Sequence, residues 1–400
     1  MTEKLFYVDS HMVTFSAVVI SCEKVGDYYE AVLDRTAFFP EGGGQYEDTG
    51  VIDGIRVFDA QERQGIVYHK MEGPLTVGKA VEGTIDWEER FSKMQQHSGE
   101  HIVSGLVHKK YGYNNVGFHM GKDAITMDFN GVIPKEDLKE IERKANEIVA
   151  SNVDIQVLYP SKEELETITY RSKIEIEGQV RIVVIPDCDT CACCAPHMKK
   201  TGEIGIVKLT GMQNYKGGVR VSMLCGFRAL EDYEQKSESV KKISVLLSAK
   251  ENEVAEEVIR VKDEMQAQKM RIAEMEKTLI AYKVREIPEG QKMAVMFEDE
   301  LTGNAPRELA NMLMQRNACV AAVFAGNEKD GYRYVIGSKN IDTRTIAKRL
   351  NEKFHGRGGG KPEMVQGSLC GNEIVIREEL DACSKQKKET EHGNCLDQSF

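Results

Sequence analysis

The sequence has 400 residues and a formal net charge of −11. That length exceeds what one hydrophobic core serves and predicts two to four domains. A hydrophobic share of 41% and a charged share of 29% are typical of globular proteins. No run approaches the ~20 apolar residues of a membrane span, and the net acidity argues against a general nucleic-acid binder while leaving room for a local basic face.

Two further features of the sequence bear on the cellular compartment. The first residues, Met-Thr-Glu-Lys, lack the basic and apolar regions of a signal peptide. The chain contains 10 cysteines, several of them clustered around a candidate metal site. Together these features predict a cytoplasmic protein in a reducing environment, without a membrane partner.

Residues 1–88 predict a β-barrel domain. Short β-rich runs at 13–20, 28–33, 52–57, 66–69 and 80–85 alternate with Gly and Asp turns at a spacing typical of small barrels. Residues 38–50 contain three consecutive glycines, which favour either a positive-φ loop that a ligand approaches closely or a tight barrel turn. This loop lacks the Gly-Lys-Ser/Thr ending of a Walker motif, so an ATP site is not expected.

Residues 89–229 predict an α+β domain with an antiparallel sheet and contain the two motifs with the clearest chemistry. His97 and His101 lie four residues apart in an amphipathic run, so a helix places both on one face, one turn apart. Farther along the chain, a predicted strand leads to Cys193-x-x-x-His197. Two such pairs offer the number and type of ligands that suit a tetrahedral zinc ion.

Several neighbours of these motifs leave alternatives open. Either pair alone is more often structural than metal-binding, but two pairs with the same spacing favour the metal. Cys188 and Cys191 form a competing chelate or a redox pair, and Cys194 is a further spare thiol. His119 lies in a predicted strand, where the role of a hydrogen-bonded sheet residue is favoured over that of a fifth metal ligand. Glu100 is a candidate general base that points either toward the metal or away from it.

Residues 230–286 predict a helical coiled-coil arm. No proline or glycine occurs between residues 233 and 281, and apolar residues follow a heptad pattern from 254 to 279, with Gln268 as a polar position in the seam. Ser244 and Glu251 interrupt the seam upstream. The arm therefore pairs either with another segment of the same chain or with a second copy.

Residues 287–380 predict a C-terminal α/β domain, with strands at 293–297, 319–324 and 332–337 and helices at 306–316 and 343–353. The domain ends in a glycine-rich, basic loop at 355–367. That loop either binds phosphate through its backbone amides or is a structural turn. The polar tail, 381–400, is predicted to be disordered.

These motifs, in this order, resemble the editing region of alanyl-tRNA synthetases and the free-standing alanyl-tRNA editing proteins. The residues that carry the resemblance are 33–45, 94–101, Cys193-x-x-x-His197 and the Thr-Gly-Glu-Ile-Gly that follows at 201–205. Residues 358–364 and the arm resemble the C-terminal, DHH-associated region of the same enzymes. The likeness extends to about residue 380 and begins at the barrel, as in the long free-standing form.

The resemblance implies a hydrolase that deacylates tRNA(Ala) carrying serine, chiefly, or glycine. An alanine pocket rejects neither residue strongly, so a second site is needed. The resemblance also points to two roles: Thr36 would read serine, and Gln45 would line the same pocket. The two ligand pairs predict Zn²⁺ as cofactor, held by His97, His101, Cys193 and His197. The heptad seam predicts a homodimer through the arm or the C-terminal domain, and the basic residues after His197 and around the C-terminal glycines predict tRNA contacts by Lys199, Lys200, Arg357 and Lys361.

The sequence departs from the family pattern at one motif, and two functions other than editing remain open. The family motif reads Cys-Gly-Gly-Thr-His, whereas this chain has Cys193-Cys-Ala-Pro-His197, which retains the ligand positions and adds Cys194. Four protein ligands make a closed, structural-type site, whereas catalysis needs an open position; either one of the four ligands is weak, or zinc orients the substrate while water is activated elsewhere. His97-x-x-Glu100-His101 also matches the inverted zinc-protease motif, and a non-catalytic tRNA-binding module is the third alternative.

Overall fold

The computed structural model describes residues 1–121, 124–172, 179–316 and 318–385. The chain divides into two compact units, Met1–Val245 and Leu246–Phe400. Helices and β-sheets occur in both units, which confirms the mixed α+β, multidomain architecture. The finer division at residues 88, 229, 286 and 380 stays a prediction. Within the described residues, no helix combines the length and apolar character that crossing a membrane requires.

The first part of unit one is a closed, antiparallel six-stranded barrel with strand order β2-β3-β7-β6-β5-β8. Alternate side chains along its strands point inward and form an apolar core, as the pattern of buried and exposed residues in β2 and β8 shows. Its elements are β1 (Glu3–Lys4), α1 (Leu5–Val8), β2 (Thr14–Val25), β3 (Tyr28–Leu33), β4 (Arg35–Thr36), β5 (Gly50–Ile52), β6 (Ile55–Arg63), β7 (Ile66–Met71) and β8 (Ala80–Ile85).

The rest of unit one is built around one long helix, α2, against which a four-stranded antiparallel sheet, β14-β15-β10-β9, packs. A three-stranded antiparallel sheet, β11-β12-β13, lies next to the same core. The elements are α2 (Trp87–Tyr111), β9 (Asn115–Met120), β10 (Ile125–Phe129), α3 (Lys135–Ser151), β11 (Gln156–Leu158), α4 (Lys162–Leu165), β12 (Ile182–Ile185), β13 (Asp189–Ala192), β14 (Val207–Tyr215), β15 (Gly218–Cys225) and α5 (Gly226–Leu247).

Unit two combines a long helix with a mixed five-stranded sheet of order β16-β17-β18-β20-β19. The pair β16–β17 is parallel and the other pairs are antiparallel. Its elements are α6 (Val254–Glu286), β16 (Met293–Glu298), α7 (Ala305–Gln315), β17 (Val320–Asn327), β18 (Gly331–Gly337), α8 (Arg344–Lys353), β19 (Arg357–Lys361), β20 (Met364–Leu369) and α9 (Glu373–Lys385).

The predicted arm is helical, with a break between α5 and α6. The apolar seam of α6 is exposed along most of its length: Val258 is 48% exposed, Met265 50% and Met275 63%. Only the end of the helix is covered, where Ile280 and Val284 pack against α7 and the sheet. The coiled coil itself stays a prediction, because a partner for the exposed seam is what would form it.

The glycine-rich segment near the C-terminus was predicted to be a loop, and this prediction was wrong. Residues Arg357–Lys361 form β19, an edge strand paired with β20. The glycines have a packing reason, since a Cβ on Gly358 or Gly367 would lie 2.3 Å and 2.6 Å from the Tyr334 hydroxyl oxygen. Helix α9 includes the first residues of the predicted disordered tail, and residues 386–400 lie outside the described residues.

Candidate metal centre and its surroundings

The two ligand pairs predicted from the sequence meet in space. His97 and His101, on α2, face Cys193 and His197, which follow β13, and the four candidate ligand atoms lie within 4.8 Å of one another. The Cys193 Sγ is 3.6 Å from His97 Nε2 and 3.4 Å from His197 Nε2. All three imidazoles are at most 2% exposed. The structure thus contains a buried cluster that could hold a metal ion.

The outward-facing nitrogen of each imidazole has a polar partner. His97 Nδ1 lies 3.1 Å from Gln45 Oε1, His197 Nδ1 lies 3.1 Å from Ser98 Oγ, and His101 Nδ1 lies 2.9 Å from Asp189 Oδ2. An acceptor at Nδ1 fixes the tautomer that leaves Nε2 free to bind a cation. Since the Nε2 atoms of His97 and His197 face the Cys193 sulfur, the rings are oriented for coordination.

Electrostatics within the cluster favour the form of the thiol that binds metals. Burial alone raises the pKa of Cys193, but the surrounding imidazoles, His97 first among them, outweigh it and hold that pKa well below the usual range. Burial lowers the pKa of His197 to about 3, so this imidazole is neutral at physiological pH. A thiolate beside a neutral imidazole is a suitable donor set for zinc.

Asp189 was missed by the sequence reasoning. It is 6% exposed and accepts two hydrogen bonds from Arg171, each 2.8 Å, in addition to its contact with His101. Burial raises the pKa of Asp189, and the stronger effect of His101 and Arg171 leaves it lowered. His101, Asp189 and Cys191 form a second group that could bind a cation. Because Arg171 occupies both carboxylate oxygens, the first group is the better metal site.

Glu100 lies beside the cluster. Its Oε2 is 3.8 Å from His101 Nε2, and its Oε1 accepts hydrogen bonds from Ser104 and Asn115. The side chain is 1% exposed. His119, in contrast, lies on β9 and is exposed, which fits its predicted role outside the ligand set. The downstream candidate ligands beside the histidine pair are Cys193 and His197, whereas an inverted zinc protease needs a glutamate there.

Thr36 is fully buried in the barrel and its hydroxyl is already hydrogen-bonded. Thr36 Oγ1 lies 2.8 Å from His69 Nε2 and accepts a hydrogen bond of 3.1 Å from the Phe38 backbone N–H. His69 Nδ1 faces the Ala31 carbonyl at 3.1 Å and therefore carries the ring hydrogen. Burial lowers the pKa of His69 to about 4, so the ring is neutral. The Thr36 hydroxyl must then donate to His69, which leaves one lone pair as an acceptor.

The triple-glycine loop brings Gln45 to the cluster. Gly43 and Gly44 have positive φ, and a Cβ on them would lie 2.9 Å from Cys194 Sγ and 2.7 Å from a carbon of Phe118. Glycine therefore permits the loop to approach protein atoms of the metal site, a role the sequence could not distinguish from ligand contact. The Gln45 side chain is fully buried, and among the described residues its Nε2 has no hydrogen-bond partner.

The same loop is fixed along α2. After Gln45, which contacts His97, the Glu47 carbonyl accepts from Lys93 and the Asp48 carboxylate pairs with Arg90. The buried Arg90 also donates to the carbonyls of Ser10, at 3.1 Å, and Ala37, at 2.6 Å. A paired and fully hydrogen-bonded buried charge is strongly coupled to its surroundings. These contacts lock the barrel loop to the helix that carries the histidine pair.

The basic stretch after the metal motif is mostly ion-paired. Lys199 Nζ lies 2.8 Å from Asp9 Oδ1 and Lys200 Nζ lies 3.5 Å from Asp154 Oδ1. Arg220 forms two hydrogen bonds to Asp128. Acids distant in the chain thus offset part of the positive charge of this stretch. Arg357 and Lys361 lie at the two ends of the exposed edge strand β19 in unit two.

Comparison with known families finds three matches along the chain. The model for tRNA synthetases class II (A) matches residues 6–89, which include Thr36 and Gln45. The model for the threonyl and alanyl tRNA synthetase second additional domain matches residues 180–222, which include Cys193 and His197. The DHHA1 domain model matches residues 290–388.

Individual relatives agree with this order. The alanyl-tRNA editing protein AlaX-L of Pyrococcus horikoshii is 28% identical over 388 residues, covering 92% of this chain and 95% of that protein. The chain resembles the alanyl-tRNA editing proteins. Alanine–tRNA ligases from Pyrococcus abyssi and Thermofilum pendens are 29% and 30% identical over 92% and 95% of this chain, which spans 42% and 44% of their own lengths.

Proposed function

We propose that the protein hydrolyses the ester of tRNA(Ala) mischarged with serine, chiefly, or with glycine. The observation that carries this proposal is the buried cluster of three imidazoles and one thiol, with the unpartnered Gln45 amide beside it. The resemblance to AlaX-L over nearly the whole chain supports the same activity and substrate. Such an enzyme would act in the cytoplasm, where charged tRNA is used.

Zinc is the metal that the donor set fits best. Three imidazole nitrogens and a cysteine sulfur are borderline ligands in a number that suits tetrahedral coordination. His97, His101, Cys193 and His197 would hold the ion, while Gln45, Ser98 and Asp189 keep the three rings oriented. When bound there, zinc supplies a positive charge that polarises an ester oxygen or a water molecule.

Gln45 would bind the reacting ester. With His97 Nε2 directed at the metal, Nδ1 carries a hydrogen and donates to Gln45 Oε1, so the Gln45 Nε2 amino group is the free end of the amide. A buried amide N–H without a partner is costly unless a ligand completes it. A carbonyl oxygen that gains negative charge during ester hydrolysis is such a ligand, and the donor would stabilise it.

Thr36 would read the serine side chain. Its hydroxyl donates to His69 and accepts from Phe38, so its remaining lone pair can accept one further hydrogen bond, such as that from a substrate hydroxyl. Serine offers that donor, whereas alanine would leave the position unpaired. Glycine gains nothing from this contact, which is why serine is proposed as the chief substrate.

Unit two would contribute to tRNA binding or to self-association. Arg357 and Lys361 on the exposed edge strand are candidates for contacts with tRNA phosphates, together with Lys199 and Lys200 in unit one. The exposed apolar seam of α6 would be covered in a homodimer by the same helix of a second copy. Both roles are separate from the ester chemistry of unit one.

The test combines metal content with deacylation. The purified chain should contain about one zinc ion and hydrolyse seryl-tRNA(Ala) faster than alanyl-tRNA(Ala). His101→Ala and Cys193→Ala should lose both zinc and activity, because each leaves three ligands. Cys188→Ala is the matched control, since Cys188 donates to the Ile102 carbonyl outside the cluster and should keep both. Full zinc content and activity in the two ligand variants would contradict the proposal.

A further inference from the structure

A large aromatic cavity lies beside the candidate metal centre, and neither the sequence motifs nor the comparisons assign it a role. Its volume is about 970 Å³, and four aromatic residues line it: Tyr46, Trp87, Phe91 and Phe227. Trp87 and Phe91 have ring centroids 5.3 Å apart, and Phe91 and Phe227 are separated by 6.4 Å. Trp87, Phe91 and Phe227 therefore form a continuous row along one wall.

Two of the four aromatic side chains are more than half exposed. Phe227 is 59% exposed and Tyr46 is 51% exposed, although both face the cavity. A cluster of exposed aromatic rings in a concave site marks a surface that a ligand covers. Because each ring presents a flat π-face, a planar ligand is the natural occupant.

The cavity is adjacent to the proposed reaction site. Lys93 lines the cavity and precedes His97 by one helical turn, which corresponds to a rise of about 6 Å along α2. The loop alongside repeats this order, because Gln45 contacts His97 while the next residue, Tyr46, lines the cavity. A molecule whose ester lies at the cluster thus has the aromatic row within reach of its adjoining group.

The charges in the cavity select among planar ligands. Glu88, Glu89 and Glu231 line it together with the cations Lys93 and Arg228. Lys93 donates to the Glu47 carbonyl, and Arg228 donates to Ser92 and to the Gly121 carbonyl, so both cations are partly engaged by the protein. The exposed carboxylates disfavour a phosphate but accept hydrogen bonds from an amino group. An aromatic base with an exocyclic amino group, such as adenine, meets both requirements.

We propose that this cavity binds the terminal adenosine of the tRNA, with its base stacked on Phe227 and Trp87. The inference rests on the proposed function, because the amino acid ester is attached to the ribose of that nucleoside. Stacking on aromatic side chains tolerates any base, so the cavity positions the acceptor end, while Thr36 and Gln45 read the amino acid. Phe227 and Trp87 are then substrate-binding residues.

Fluorescence offers a direct measurement, because Trp87 is the single tryptophan of the 400-residue chain. Adenosine monophosphate should quench its emission in the full-length protein, and ribose phosphate should not. An RNA minihelix with a complete CCA end should quench it more than one that lacks the terminal adenosine. Equal quenching by the two minihelices, or none by adenosine monophosphate, would overturn the proposal.

Kinetics of the Phe227→Leu variant provide the second measurement. Leucine keeps much of the apolar volume but removes the ring, so KM for seryl-tRNA(Ala) should rise about five- to hundredfold with kcat little changed. Tyr233→Leu is the matched control: Tyr233 is 68% exposed on the same helix, is not among the residues that line the cavity, and should leave KM unaltered. If KM of the Phe227→Leu variant is as unaltered as KM of the Tyr233→Leu variant, Phe227 contributes no stacking.

The two measurements separate this proposal from the proposed function. If adenosine monophosphate quenches the Trp87 emission but the protein hydrolyses no mischarged tRNA, the proposed deacylase activity is refuted and the nucleoside site is supported. A protein that hydrolyses seryl-tRNA(Ala), shows no quenching and has an unaltered KM after Phe227→Leu would refute the nucleoside site alone.

Discussion

Replacing Thr36 by valine isolates a single hydroxyl group. Valine has nearly the same shape as threonine, so the fully buried barrel position keeps its volume. The substitution removes the donor to His69 Nε2 and the acceptor for the Phe38 N–H, which lie 2.8 Å and 3.1 Å from Oγ1. It also removes the lone pair proposed to accept from the serine substrate.

The expected magnitudes follow from those contacts. A buried polar group left without a partner costs roughly 1–3 kcal/mol. Two protein groups lose their partner, so Thr36→Val should lower the free energy of unfolding by roughly 2–6 kcal/mol before relaxation. One substrate hydroxyl loses its acceptor, so the preference for seryl- over alanyl-tRNA(Ala) should fall by about five- to hundredfold.

The assay compares the deacylation rates of seryl- and alanyl-tRNA(Ala) for the same folded protein, with urea unfolding measured in parallel. Thr36→Ser is the matched control, because it keeps the hydroxyl and loses only a methyl group. It should retain the serine preference even if it is destabilised. An unchanged preference in a folded Thr36→Val variant would refute the reasoning, since another group would then read the serine hydroxyl.

Two further predictions concern His69 and Asp189. The folded-state pKa of His69 is about 4, below its ordinary 6.5, so the unfolded chain binds an extra proton between these values. The contribution of this group to the free energy of unfolding is therefore complete above pH 6.5 and is lost as the pH falls toward 4, by about 3 kcal/mol in total. His69→Leu should flatten the pH dependence of the free energy of urea unfolding. The same pH dependence in the variant and the original protein would contradict the burial argument. Asp189→Asn should weaken zinc affinity about 10- to 100-fold in a chelator competition, because the charge that orients His101 is lost. Asp187→Asn, nearby in the chain, serves as control, and equal affinities would exclude a role for Asp189.

The sequence alone was enough to predict the two candidate ligand pairs, because the information is local. Four-residue spacing on a helix of 3.6 residues per turn places His97 and His101 on one face whatever the surroundings. The mixed α+β architecture was likewise predictable, since alternation and helical periodicity extend over consecutive residues.

What only the tertiary structure decided depends on residues far apart in the chain. Asp189, Ser98 and Gln45 approach the three imidazoles from different elements, and no spacing in the sequence connects them. Arg90 and Asp48, which lock the loop to α2, are separated by 42 positions. Hydrogen-bond partners of this kind follow from how helices and strands pack, and packing is set by the whole core rather than by local pattern.

The same reason explains the error at the C-terminus. Three glycines in a basic segment have the composition of a loop, yet residues 357–361 form an edge strand paired with β20, and the missing side chain of Gly358 makes room for the Tyr334 hydroxyl of β18. Local composition specified what the backbone was permitted to do. The neighbouring strands of the folded sheet decided which of these conformations the segment adopts. Only within the sheet does a backbone without Cβ atoms pack closely against its neighbours and form ladder hydrogen bonds.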